Sequence, residues 1–300
     1  MWLWLAILSA FLLGFYDVAR KWSLRENAVL PVIFLSICIG ALLVSVCFIL
    51  SRVMPGTMMR MGLYATVPSA TLQGYIFFKA VLVSITWICA YTAIKHLPIS
   101  IVAPIRSSSP VWTLVGAVLL FGERMSLWQW AGLLITFGSY YVFSLLGKRE
   151  GIHFKKNKWM FLVFLAVITG AASALYDKYL LQRLLLSPVT LQTWFSFYLV
   201  VTMGCVCAVF YRPSNGGDRF QWRWSIVLIG VFIILSDFTY FNSLAQKDAL
   251  VSIVSTVRRS SVVVAFVFGG LLFKEKNKRK KAIPLIGVLV GLLLLLMKSA

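Results

Sequence analysis

Ten apolar runs of about 20 residues follow one another along this chain, most of them joined by links of only a few residues. The runs are Trp2–Ala19, Ala28–Leu50, Gln73–Ile94, Ile99–Phe121, Leu127–Leu146, Trp159–Leu181, Val189–Tyr211, Trp224–Leu244, Ala249–Phe273 and Ala282–Met297. Helices of that length span a hydrocarbon core of about 30 Å, whereas membrane strands need only about 9–11 residues and alternate in polarity. Apolar side chains make up 60% of the chain and charged ones 13%, so a water-soluble fold could not cover its own surface. Lipid offers the backbone no hydrogen bonds, so each N–H and C=O must be satisfied within the segment, and helices do this. The expected fold is therefore an all-α membrane protein of ten transmembrane helices. The first run continues to Tyr16 and Asp17 without a small-residue cleavage site, so it reads as a span and not as a removed leader.

The longer links are Ser51–Leu72, Lys148–Lys158 and Arg212–Arg223, none long enough for a soluble domain. The basic link 148–158 divides the chain into residues 1–147 and 159–300, each with five spans. These halves repeat. Displaced by 152 residues, Ser100–Arg124 lies on Ser252–Lys276 without a gap, and 12 of the 25 positions are identical. Arg106 falls on Arg258, Ser108-Ser109 on Ser260-Ser261 and Glu123 on Glu275, matches that shared apolar composition does not supply. A weaker echo sets Tyr16-Asp17 on Tyr176-Asp177. Five spans per half insert the halves with opposite orientation, and inverted repeats of this kind mark secondary transporters.

The net charge of +20 invites a nucleic-acid reading, but the cations sit in the links between apolar runs. That is the pattern of the positive-inside rule. Links after odd-numbered spans carry most of the Lys and Arg, notably around Lys148–Lys158 and Lys274–Lys281. The bias places those links in the cytoplasm and both termini outside the inner (plasma) membrane. The five cysteines all fall inside apolar runs, where they read as small packing residues.

From Leu97-Pro98 through Ser109-Pro110 to Leu119-Leu120-Phe121-Gly122-Glu123, and on to Gly132 and Gly138, the sequence resembles the drug/metabolite transporter superfamily, in its EamA-like ten-helix branch. Leu13-Gly14 is similar to the family's first helix, though the Trp often found before that Gly is absent. The second copy departs further, with Val262 in place of Pro110 and Lys274 in place of Gly122. The resemblance implies a central cavity between two EamA-like halves, alternating access, and termini that in family members usually face the cytoplasm. The Lys/Arg bias opposes that last implication. In the family the turn holding Glu123 and Glu275 is structural.

A charge at the bilayer centre costs at least about 2.5–3.5 kcal/mol, so such residues face a cavity or a partner. Arg106 stands seven residues into its span and shares a helix face with Ser109, Pro110 and Thr113. The repeat puts Arg258 in the equivalent place, with Ser255 and Ser261 on its face and Arg259 beside it. Guanidinium groups from opposite halves suit phosphate or carboxylate. Asp237 lies mid-span with Tyr240 on its face, and is either the counter-ion of Arg258 or Arg259 or a proton carrier. Asp17 and Asp177 lie nearer helix ends, where pairing with Arg20, Lys21 or Lys178 competes with a coupling role. Lys79 is expected to snorkel to the interface, and Trp87, Tyr91 and Trp194 are candidate cavity aromatics.

These residues define the expected site: Arg106, Ser109, Thr113, Arg258, Arg259, Ser261 and Tyr240 for substrate, and Asp237, Asp17 and Asp177 for coupling. The expected function is secondary transport of a small anionic or zwitterionic metabolite, without a cofactor, driven by a proton or a counter-substrate. The internal duplication points to a self-sufficient monomer. An exporter of cationic or amphipathic drugs would instead make the acids govern transport. A flippase for a phospholipid or lipid-linked sugar phosphate would also use arginines and need a lateral opening. A membrane enzyme is disfavoured, because no metal set, Gly-x-Ser-x-Gly elbow or phosphate-cradling loop is present in the sequence.

Overall fold

A computed structural model of the chain describes residues 1–96, 108–145, 158–211, 219–261, 263–264, 286–291 and 293–295. Its elements are α1 (Trp2–Ser23), α2 (Val29–Val53), the short α3 (Pro55–Arg60), α4 (Ala70–His96), α5 (Ser109–Phe121), α6 (Leu127–Leu145), α7 (Lys158–Lys178) with a terminal π turn (Tyr179–Arg183), α8 (Pro188–Phe210), α9 (Ser225–Leu244) and α10 (Val251–Arg259). A further apolar helix, α11, covers Ile286–Leu295. Six of the described helices are long and apolar enough to cross a membrane. The protein is an all-α membrane protein, with no strand among the described residues.

Local chemistry sets several helix ends. The Oγ of Ser187 accepts from the Thr190 N–H at 3.1 Å and Pro188 opens α8, so one orphan N–H is capped and the residue without an N–H sits where none is needed. Helix α5 carries Pro110 in its first turn and stops at Gly122, whose φ of 62° is left-handed. The Glu123 N–H then turns back to the Ala117 carbonyl at 3.3 Å. That reversal swings the Glu123 carboxylate under the neighbouring helices. The link 51–72 carries α3 and folds against α8, with the Thr66 N–H donating to the Thr190 Oγ1 at 3.0 Å.

Helix contacts repeat under exchange of the halves. Pairing α1 with α7, α2 with α8, α4 with α9 and α5 with α10 maps the α1–α9 contact onto α7–α4 and the α2–α9 contact onto α8–α4. The α5–α7 contact likewise maps onto α10–α1, while α2–α8 and α5–α10 map onto themselves. The inverted repeat read from the sequence is thus also a repeat of packing.

Small residues and hydroxyls let these helices approach, as lipid supplies no hydrophobic drive between them. A Cβ on Gly230 would lie 2.6 Å from the Ser36 carbonyl, and one on Gly132 would lie 2.6 Å from the Gly291 carbonyl. Those contacts close α9 on α2 and α11 on α6. Ser9 and Ser236 exchange hydrogen bonds to each other's carbonyls at 2.8 and 2.9 Å across α1 and α9. The Thr86 hydroxyl donates to Thr169 at 2.9 Å between α4 and α7.

Candidate functional site

Where α1, α4, α5, α7, α8, α9 and α10 meet, they line a cavity of about 300 Å³. Its walls carry seven charged side chains: Arg20, Lys79, Arg258 and Arg259 against Asp17, Asp177 and Asp237. Trp87, Phe195, Tyr240 and Phe241 supply aromatic surface, and Ser109, Thr113, Ser173, Ser255 and Ser261 supply hydroxyls.

Two ion pairs lie at the heart of this cavity. Lys79 of α4 pairs with Asp177 of α7, and both are almost wholly buried, at 2% and 4% exposure. The Lys79 ammonium also stands 4.3 Å from the Phe195 ring centre and 5.2 Å from that of Phe241. Arg258 of α10 pairs with Asp237 of α9, and its guanidinium covers the Tyr240 ring at 4.2 Å. The Tyr240 hydroxyl donates to the second Asp177 oxygen at 3.3 Å. One tyrosine therefore joins the two pairs, its hydroxyl on one carboxylate and its ring under the other cation. A third pair, Asp17 with Arg20 at 2.7 Å, lies within α1, and the Ser261 hydroxyl reaches Asp17 at 3.5 Å.

A second, separate network joins the turn after α5 to α7 and to the start of α10. Lys178, next in sequence to Asp177, donates to Glu123 at 2.7 Å and to the Ala249 carbonyl at 3.1 Å. Glu123 also accepts from the Val251 N–H at 2.7 Å, the Ser252 N–H at 3.3 Å and the Ser252 hydroxyl. The carboxylate thus caps the start of α10 and neutralises a buried ammonium at once. The turn role expected for Glu123 is what the structure shows.

Most of the residues expected at the site line this cavity: Ser109, Thr113, Tyr240, Arg258, Arg259, Ser261, Asp17, Asp177 and Asp237. Arg106, Tyr91's side chain, Glu275 and the link 148–157 lie outside the described residues. Asp237 is the counter-ion of Arg258, one of the two roles anticipated for it, and Asp17 takes Arg20 as expected. The Thr113 hydroxyl is already used, donating to the Ser109 carbonyl at 3.2 Å. Three expectations are corrected. Lys79 does not snorkel, because α4 begins at Ala70 and puts it nine residues in, about 14 Å from the helix end. Asp177 takes Lys79 and not its neighbour Lys178, since adjacent helical residues point about 100° apart. Trp194 is not a cavity residue; its indole donates to the Thr66 carbonyl at 3.0 Å, against the 51–72 link.

A helical membrane bundle of two like halves around a charged central cavity is the architecture of a transporter. Its sequence matches the profile of the EamA-like transporter family over residues 1–145 and again over 157–297, and the chain belongs to that family. An uncharacterized transporter of Archaeoglobus fulgidus is 21% identical over 210 residues, 69% of each chain. A protein known by its crystal structure superimposes with a TM-score of 0.71 over 96% of this chain and 97% of its own, at 13% identity, a likeness of fold. The protein is a multi-pass membrane transporter of a small molecule.

Proposed function

We propose that the cargo is a small anionic or zwitterionic polar metabolite, carried by secondary-active alternating access between halves 1–147 and 159–300. The observation that carries this reading is the charge inventory of the cavity, four cations against three carboxylates. Arg258 and Arg259 offer fork-shaped donors to a carboxylate or phosphate, and the Arg258 Nε has no hydrogen-bond partner among the described residues. Ser109, Ser261 and Tyr240 supply hydroxyls, and Arg106, matched to Arg258 by the repeat, contributes from the first half. Asp237, Asp177 and Asp17 are the coupling groups, because each holds a cation that a bound anion would claim.

Thermal unfolding of the purified protein against phosphorylated sugars, nucleotides, organic acids, amino acids and cationic drugs tests this. At a hundred times its dissociation constant the correct anion stabilises by about 2.7 kcal/mol. That stabilisation is expected to vanish in Arg258→Gln and in Arg106→Ala. Stabilisation by cationic drugs that survives both substitutions sinks the reading. The Lys/Arg bias of the links supports a plasma-membrane protein with both termini outside. Labelling of a C-terminal tag on intact cells by an impermeant reagent checks this, and an unlabelled tag refutes it.

A further inference from the structure

Lys79 and Arg258, two cations of the cavity, each own a carboxylate, and this bears on how the carrier returns after delivering its cargo. A carrier whose binding cations are neutralised only by substrate cannot reorient unloaded, because a bare charge would cross the low-dielectric centre of the bilayer. Such a protein is confined to exchange. Here Lys79 is matched by Asp177, and Arg258 by Asp237. Tyr240 ties the pairs into one unit, with its hydroxyl on Asp177 and its ring under Arg258.

The first pair joins the two halves, yet it sits within one packed helix couple. Helices α4 and α7 run against each other and share the Thr86–Thr169 bond at 2.9 Å, so Lys79 and Asp177 can travel together. The second pair joins α9 to α10 within one half. Neither pair has to separate when α4 and α7 move as one body.

We propose that the protein is not an obligate exchanger: the Lys79–Asp177 and Arg258–Asp237 pairs neutralise these two cavity cations internally, so that the unloaded carrier reorients and supports net transport. This rests on the alternating-access part of the proposed function, but not on the charge of the cargo. An anion then binds by taking the cations from their carboxylates, and its release lets the pairs reform.

The Glu123 network supplies the reporter. Arg124 and Lys247 are exposed residues of the turns that flank the Glu123 bonds to Lys178 and α10. Fluorophores on Arg124→Cys and Lys247→Cys, with the five native cysteines replaced, follow opening of this end by single-molecule energy transfer in lipid nanodiscs. No cargo is added in any arm. The otherwise native protein is expected to switch between two transfer levels. Asp177→Asn or Asp237→Asn, each stranding a cation, is expected to slow switching at least about tenfold. Lys79→Gln/Asp177→Asn and Arg258→Gln/Asp237→Asn remove the stranded charge and are expected to restore it. Each pair has its own single and double variants, so one poorly folding variant leaves the other pair's set decisive.

Single variants that switch at the native rate overturn the proposal. So do charge-neutral doubles that stay slow, or an unaltered site that holds one transfer level throughout. Because these arms contain no ligand, their failure is distinct from failure of the anionic-cargo reading, which the thermal screen decides.

Discussion

Asp177→Ala is expected to cost about 3–5 kcal/mol of stability, while Lys79→Met/Asp177→Leu recovers most of the loss. The asymmetry follows from where the pair lies. Lys79 has hydrogen-bond distance to Asp177 and otherwise faces the rings of Phe195 and Phe241. The rings attract the ammonium but do not replace a carboxylate, because cation–π contacts give about 0.5–2 kcal/mol against several for desolvating an ion. Removing Asp177 therefore strands a charge, whereas removing both members leaves an apolar contact between α4 and α7. Unfolding of the detergent-solubilised protein by heat or by SDS reads both. Equal stability of the single and double variants would mean that the ammonium finds water, and that the cavity is wet where the pair sits.

Glu123→Ala carries the second large effect, also about 3–5 kcal/mol, because one carboxylate serves four donors from three sites. Its loss leaves Lys178 with the Ala249 carbonyl and the Phe121 ring, 5.2 Å away, and uncaps the first turn of α10. Glu123→Gln keeps an acceptor for Val251 or Ser252 but not the charge, so an intermediate loss is expected. The same substitution should shift the bundle toward opening at this end, seen as faster modification of an impermeant-thiol target at Ala249→Cys, a fully buried position. Unchanged unfolding temperature and unchanged labelling in Glu123→Ala would remove the network from any closing role.

Cavity and Glu123 network meet on adjacent residues of α7. Asp177 belongs to the cavity and Lys178 to that network, and their side chains diverge because neighbouring helical positions do. Both side chains are carried by α7, so the two networks share one helix.

This divergence also shows what the sequence can and cannot display. The register of apolar runs, the internal repeat and the intramembrane charges were all legible, since each is a pattern along one chain. The Arg258–Asp237 pair was legible only as one of the alternatives, beside Arg259 and a proton-carrying role, because both residues lie deep in apolar runs. The Lys79–Asp177 pair did not, because it depended on a helix start three residues earlier than the apolar run suggested, and on α4 packing against α7. Lys178 was misassigned to its neighbour for want of its true partner, which reaches it only after the left-handed turn at Gly122. The Gly122-Glu123 signature is readable in sequence, but its donors on α10 lie 128 and 129 residues away. Trp194 fell to the 51–72 link because nothing in that stretch announces that it folds back on α8.

The measurement that bears most directly on the transport of an anionic or zwitterionic metabolite is entry of a defined mixture into proteoliposomes. Phosphorylated sugars, organic acids, amino acids, polyamines and cationic drugs are offered together, and the trapped contents are identified by mass spectrometry. Selective entry of one anionic or zwitterionic class, lost in Arg258→Gln and absent from protein-free liposomes, is the expected result. Selective entry of cations, undiminished in Arg258→Gln, would contradict it.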